Sequence, residues 1–166
     1  LGGFPISDLR ITLLSGKAHL KHTEGGDFRE AVYRAIRQGL RRGKSVLLEP
    51  YGSFRLEVNE ESLSRVIYEI ERIDGQFQLQ ASDPGMSVLS GSAPLAGLQK
   101  LARELPSHTR GRGRLYHTFD RYLPCRHAQD VLEARAYDCD RDVKEPCGSI
   151  FCAQGAGFYV PWDEVE

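Results

Sequence analysis

The stretch FRLEVNEESLSRVIYEIERIDGQFQLQ, residues 54–80, decides the fold of this chain. Its first five residues alternate apolar and polar side chains, which is typical of a strand with one buried face. Apolar residues then recur at helical spacing from Leu63 to Ile73, after Asn59, a residue type that caps helices. The closing FQLQ alternates again after a DG turn. The stretch therefore predicts a strand, a helix and a second strand.

The residues that follow repeat this order. The turn SDPG, residues 82–85, leads into a strand that begins at Met86. A helix begins near Pro94, carries leucines along one face and ends at Pro106, and a fourth strand passes through residues 115–119. The order β-α-β-β-α-β predicts an α+β, ferredoxin-like sandwich with its helices on one face of an antiparallel sheet.

A shorter pattern precedes the decisive stretch. Residues 5–14 alternate like a strand, and a polar loop follows. An amphipathic helix capped by Asp27 ends at Gly43, and residues 46–48 read as another strand. This segment predicts a β-α-β module.

Three regions result from these patterns. Residues 1–49 are an incomplete β-α-β module, residues 50–123 the ferredoxin-like domain, and residues 124–166 a C-terminal extension. The extension is irregular, with a possible short helix over residues 128–134 and one strand near its end. Because the chain starts without Met and without a signal pattern, we expect a piece of a longer protein.

Composition excludes several classes of protein. The chain has 166 residues, 40% hydrophobic and 27% charged, which is ordinary for a globular protein and excludes collagen and long disorder. No apolar run approaches the roughly 18 residues that a membrane span needs. Charge is uneven, since residues 29–44 hold six basic and one acidic side chain, whereas residues 126–166 hold four basic and nine acidic. Such a basic surface can attract a polyanion.

Three clusters are candidates for nucleic-acid binding. Arginine suits phosphate because its guanidinium donates two parallel hydrogen bonds. A solvated surface with no partner remains the alternative for the loop and for the glycine-rich turn. The predicted phosphate contacts are Arg34, Arg37 and Arg41 on one helix face and Arg110, Arg112 and Arg114 in a glycine-rich turn, and the predicted recognition loop is Lys17, Ala18, His19, Leu20, Lys21 and His22.

Two further motifs have weaker interpretations. The run GLRRGKS, residues 39–45, resembles a phosphate-binding loop, but it is one residue short and follows a helix, so a helix C-cap and no nucleotide are expected. The cysteines have no Cys-x-x-Cys pair, which favours free thiols over a zinc site or disulfides. Free thiols in turn favour a reducing compartment. The cysteines are Cys125, Cys139, Cys147 and Cys152.

Short motifs in a fixed order resemble the end of elongation factor G. Those similar to its domain IV are GFPISDLRITL at residues 3–13, DFR at residues 27–29 and LLEP at residues 47–50. Those similar to its domain V are FRLEV at residues 54–58, PL at residues 94–95, TRGRG at residues 109–113 and FDRY at residues 119–122. LEPYGSF at residues 48–54 and LSR at residues 63–65 are closer to the tetracycline ribosomal-protection branch of this translational GTPase family.

The resemblance implies a fold and a function. Residues 1–49 would be the end of a ribosomal-protein-S5-like module, domain IV, and residues 50–123 would be domain V. These domains would bind the ribosome and its rRNA, with residues 17–22 as a tip loop directed toward the decoding centre. The parent would be a GTPase that uses GTP and Mg²⁺, whereas this fragment would have no catalytic residues, no cofactor and no metal. We expect a cytoplasmic monomer without a membrane partner.

The loop leaves two functions open. His19 matches the histidine of the elongation-factor tip, where protection proteins more often carry aromatic and proline residues. The parent is therefore either a tetracycline-protection protein or a translocase-like factor without drug specificity. A third hypothesis, from another class, is a ferredoxin-like metal or redox module that uses the late cysteines.

Overall fold

The computed structural model describes residues 2–18, 20, 23–80 and 84–165. The chain divides into two compact units. One unit is Leu47–Arg126, and the other combines Leu1–Val46 with His127–Glu166. The C-terminal segment, which the sequence pattern treats as a separate extension, thus belongs to the same unit as the N-terminal segment.

Ten helices and strands are present in the described residues. None of the helices in this part of the chain has both the length and the apolar composition that crossing a membrane requires. In chain order the elements are α1 (Gly25–Arg42), β1 (Leu48–Asn59), α2 (Glu60–Arg72), β2 (Gln76–Gln80), β3 (Met86–Pro94), α3 (Leu95–His108), β4 (Arg114–Pro124), α4 (Ala128–Arg135), β5 (Ser149–Ala153) and β6 (Ala156–Val160).

The unit Leu47–Arg126 is an antiparallel sheet with two helices. The strand order is β2-β3-β1-β4, and every neighbouring pair is antiparallel. Leu56 in β1 is paired with Leu89 on one side and with Leu115 on the other. This topology confirms the predicted β-α-β-β-α-β sandwich. The turn residues at 82–83 of the predicted SDPG hairpin lie outside the described residues.

The core of this unit fills the space between the sheet and its helices. Alternate β1 residues and one stripe of each helix are buried together, as the 2-residue and 3.6-residue periods predict. Each valine, leucine, isoleucine or phenylalanine side chain contributes about 1.5–3 kcal/mol when fully buried. The buried cluster is Phe54, Leu56, Val58, Val66, Ile70, Leu89, Ala93, Leu98, Leu101 and Leu105.

Helix α3 does not end at Pro106, so that prediction is wrong. A proline inside a helix removes one backbone donor but leaves its neighbours free to bond. The helix continues to His108, and the Thr109 N–H then donates to the carbonyl of Leu105 at 3.0 Å. The last turn is therefore kept by the residue that follows the helix.

Within its described residues, the first segment of the other unit forms a helix but no strand. The prediction of α1 is confirmed, although Asp27 is its third residue and accepts from the Glu24 N–H at 2.8 Å rather than preceding the helix. The prediction of a strand over residues 5–14 is wrong, because the described residues there have no ladder partner. Alternation alone does not stabilise an unpaired strand, and Leu13 is 83% exposed.

The C-terminal segment is more regular than its pattern. Helix α4 confirms the short helix that was expected over residues 128–134. Strands β5 and β6 form an antiparallel hairpin, where the sequence pattern indicates one strand. Gln154 and Gly155 turn between them with φ of 53° and 81°, which suits the right-handed twist of a two-residue hairpin.

Candidate functional site

Three exposed arginines follow helix α3 in a glycine-rich turn, here called the arginine turn, residues 110–114. Arg110, Arg112 and Arg114 all have exposed side chains. The ion pairs that the described residues of this unit form involve other arginines: Arg55, Arg65, Arg72, Arg121 and Arg126. The guanidiniums of the arginine turn therefore face solvent with their donors available.

Thr109 holds the backbone of the arginine turn. Its side chain is almost completely buried, at 1% exposure. The Thr109 hydroxyl donates to the Leu105 carbonyl at 2.8 Å and accepts from the Gly113 N–H at 2.9 Å. The Arg112 N–H also donates to the Thr109 carbonyl at 3.0 Å. One buried threonine thus connects the end of α3 to the start of β4.

The glycines of the arginine turn are required by space and by backbone angle. Gly111 has a φ of 76°, a backbone angle that residues other than glycine adopt only at a cost in free energy. A Cβ on Gly113 would lie 2.8 Å from the Thr109 Cγ2 atom, closer than packing allows. Sequence reasoning found the glycines and arginines but missed Thr109, whose polar type at a buried helix end is the signal it could have used.

A second set of arginines lies on α1 and is here called the arginine face, Arg34, Arg37 and Arg41. The spacing of three and four residues puts them on one side of the helix, as predicted. Their side chains are only 20%, 20% and 15% exposed. They are therefore partly covered, unlike those of the arginine turn.

The C-terminal segment of the same unit covers the first two of these arginines. Arg34 donates to the carbonyl of Gly148. Arg37 donates to the Pro146 carbonyl at 3.2 Å and forms an ion pair with Glu145 at 2.5 Å. Carbonyl and carboxylate oxygens thus occupy the donors that were predicted to bind phosphate.

Arg41 is the most completely engaged of the three. Both of its terminal nitrogens bond the Asp140 carboxylate, and its guanidinium lies 4.3 Å from the centre of the Trp162 ring. The hydrogen bond from Arg41 lowers the pKa of Asp140, and the same bond raises the pKa of Arg41. Burial raises the pKa of the neighbouring Cys139 thiol, against the opposing charge of Arg41. Arg41 and Asp140 are therefore both charged over the whole physiological pH range.

Only part of the predicted recognition loop falls within the described residues. Lys17, Ala18 and Leu20 are exposed, and the Leu20 side chain has no cover at all. His19, Lys21 and His22 lie outside the described residues. The structure brings neither the loop nor the arginine face into the unit that holds the arginine turn.

The remaining candidates have structural interpretations. The run at residues 39–45 is the end of α1, where the Gly43 N–H donates to the Gly39 carbonyl at 2.9 Å, which confirms the predicted C-cap. All four cysteines are free thiols. Across the described ranges, no three His, Cys, Asp or Glu side chains form a group that could hold a metal ion.

Comparison with known families decides how these features are grouped. Residues 1–44 match the family "Elongation factor G, domain IV", and residues 46–131 match the family "Elongation factor G C-terminus". The second match alone spans more than half of the chain. The chain belongs to the elongation factor G C-terminal family. Residues 1–131 thus contain C-terminal domains of an elongation factor G-like translation factor, and both matches end before the segment that covers the arginine face.

A solved structure is also similar. It is a crystal structure of a protein from Thermus thermophilus, 26% identical in sequence, with a TM-score of 0.49. The similarity covers 55% of this elongation factor G-like chain and 14% of the other chain. This chain therefore spans about one seventh of the length of that protein.

Proposed function

We propose that this chain is the ribosome-binding C-terminal region of a GTP-dependent translation factor. The observation that carries the proposal is the ordered pair of matches, domain IV followed by the C-terminus of elongation factor G, over residues 1–131. The exposed cations of the arginine turn support it, since a ribosome presents rRNA phosphates at its surface. The parent would hydrolyse GTP with Mg²⁺ in a domain outside this sequence and would act in the cytoplasm.

The arginine turn supplies the positioning contacts in this proposal. A bidentate guanidinium binds phosphate without reading the base sequence, so three of them fix where the domain docks on rRNA. The Thr109 hydrogen bonds keep the turn in one conformation before binding. A turn that is already ordered loses less conformational entropy when it binds.

The loop at residues 17–22 is proposed to be the tip that reaches toward the decoding centre. Its lysines, imidazoles and exposed Leu20 are suited to a structured RNA pocket, where side chains stack on bases and pair with phosphates. The chain itself is proposed to act as a monomer without catalysis of its own. GTP hydrolysis in the parent would shift the factor between bound and released states.

Two finer functions are supported by different residues. LEPYGSF at residues 48–54 and LSR at residues 63–65 favour a tetracycline-protection protein. His19 favours a translocase-like factor. Replacing residues 18–22 of the parent with an aromatic and proline loop distinguishes them, because drug rescue should rise only in a parent that does not already protect.

Co-sedimentation of the chain with purified 70S ribosomes tests the proposal. We expect binding that weakens as salt rises, and we expect Lys17→Ala with Lys21→Ala to weaken it further. Each lost phosphate contact should reduce the slope of log K against log salt by roughly one. Lys100→Ala with Arg103→Ala removes the same charge from exposed residues elsewhere and should leave the slope unchanged. Absence of binding at about 50 mM salt would reject the proposal.

A further inference from the structure

We propose that the C-terminal segment, residues 138–165, is an intramolecular occupant of the arginine face that RNA must displace. It would act as a built-in competitor, so that the arginine face contacts RNA phosphate only after the segment has moved away. This inference rests on the proposed function, because it assumes that the chain binds RNA. It assigns a role to a segment that lies outside both family matches.

The segment offers the arginine face the same chemistry as a phosphate backbone. Asp140 receives two parallel bonds from Arg41, the arrangement that guanidinium also forms with phosphate. Glu145 pairs with Arg37 at 2.5 Å, one turn of the helix before Arg41. The arginines thus have oxygen acceptors in place without any RNA.

The contact extends over two turns of α1 and includes the start of the segment, residues 140–148, and its end, residues 162–165. Gln38 donates to the carbonyls of Trp162 at 3.0 Å and Val165 at 2.7 Å. Arg42 donates to the same Val165 carbonyl at 3.4 Å. The Trp162 ring lies against Arg41. The end of the chain is therefore held to the helix that bears the predicted phosphate contacts.

The segment is organised to present its acidic groups. The Asp142 carboxylate accepts from the N–H groups of Lys144 and Glu145 at 3.1 and 3.0 Å and from the Tyr137 hydroxyl at 2.9 Å. Such an Asx turn fixes the backbone that carries Glu145. The acidic groups are therefore held in place by bonds within the segment and by the residue next to it.

The occupant is suited to displacement. The Asp140 and Glu145 side chains are 62% and 66% exposed, so water screens their ion pairs and each pair holds the segment weakly. An RNA strand brings several phosphates at once and releases bound counterions when it binds. The segment therefore lowers the affinity of the arginine face for RNA without abolishing it, because its ion pairs are several but each is weak and exposed to water.

Neutral variants of the segment test this inference in the full chain. Asp140→Asn with Glu145→Gln removes both ion pairs and keeps side-chain size. Asp163→Asn with Glu164→Gln is the matched control, because it removes the same charge from exposed residues of the same segment. Binding is measured with 70S ribosomes over a salt series, and acrylamide quenching of Trp162, the single tryptophan, reports whether the segment has opened.

We expect the Asp140/Glu145 variant to increase quenching and to bind ribosomes about three- to tenfold more tightly, with a salt slope steeper by roughly two. The Asp163/Glu164 control should change both the quenching of Trp162 and the ribosome affinity by less than the Asp140/Glu145 variant does. Adding Arg37→Ala and Arg41→Ala to the neutral variant should remove the gain, since the freed arginines would be its cause.

Two results would overturn the inference. One is increased quenching with unchanged or weaker ribosome binding, and the other is unchanged quenching, which would mean that these ion pairs do not hold the segment. Failure of the proposed function is a different result, in which the wild-type chain and all variants fail to bind ribosomes at about 50 mM salt.

Discussion

The arginine turn and the arginine face each place three guanidiniums within a few residues, but the protein uses them differently. In the arginine turn, hydrogen bonds from Thr109 fix the backbone and the side chains face solvent. In the arginine face, a regular helix carries the side chains and distant residues occupy their donors. The comparison shows that a basic motif predicts a cation-rich surface, whereas only the fold shows whether those cations are available.

Removing the arginine turn should have the largest effect on binding. With Arg110, Arg112 and Arg114 all replaced by Ala, the slope of log K against log salt for 70S ribosomes should fall by roughly three. The affinity at low salt should fall by more than about tenfold, because all three arginine side chains are exposed in the wild type. Co-sedimentation over a salt series measures both quantities.

The matched control removes three exposed cations elsewhere. Lys44, Lys100 and Arg103 are exposed, and their replacement by Ala should leave the slope within about one of the wild type. If both triple variants lose affinity equally, the turn has no special role and only net charge matters.

Thr109→Val should loosen the arginine turn without removing any charge. The substitution leaves the Gly113 N–H without its acceptor, which costs about 1–3 kcal/mol. Hydrogen exchange at the Gly113 amide should therefore accelerate by about one to two orders of magnitude. Ser107→Ala is the control, since that hydroxyl is exposed and its loss should change stability by less than about 0.5 kcal/mol. Equal protection of Gly113 in both variants would mean that Thr109 does not hold the turn.

Replacing the arginine face should have a smaller effect on ribosome binding than replacing the turn. Substitution of Arg34, Arg37 and Arg41 by Ala removes three cations that the C-terminal segment already engages in the wild type, so few contacts to phosphate are lost. We expect affinity within about threefold of the wild type in the same co-sedimentation assay. A loss as large as that of the arginine-turn variant would show that the two regions do not differ in availability.

Acid should release the segment from the arginine face. At neutral pH we expect no release, so this is the smallest of the expected effects under ordinary conditions. Arg41 lowers the pKa of Asp140, so the pair contributes stability above the ordinary aspartate pKa of about 3.9 and loses it as pH falls through the lower value in the folded chain. The Tyr137 hydroxyl lowers the pKa of Asp142 in the same direction. Quenching of Trp162 should stay constant from pH 7 to about 4 and rise only below it. If the increase in Trp162 quenching were already complete above about pH 5, the Arg41–Asp140 pair would not be what holds the segment.

The sequence predicts the ferredoxin-like unit well because its signals are local. The alternation in FRLEV and the leucine stripe of α3 each place residues on one face of their own element, and the core forms from those faces. Residues 5–14 behave differently. Their alternation is as regular, but a strand also needs a ladder partner, and no local signal reports one.

The candidate site was predictable only in part for the same reason. Residue type and spacing identify both arginine sets. Arg41 bonds the carboxylate of Asp140, 99 residues away in the sequence, so no short pattern could show that this arginine is occupied. Thr109 was missed because its role depends on the way the end of α3 meets β4.

The most direct test of the account is a cross-link from the arginine turn to rRNA. Ser107 is exposed and precedes the turn, so a photoreactive side chain can replace it without removing an arginine. With this variant bound to 70S ribosomes, we expect light to link it to rRNA, and we expect the Arg110, Arg112 and Arg114 substitutions to remove that link. Normal ribosome binding with a link to ribosomal proteins alone would contradict the claim that this turn binds rRNA.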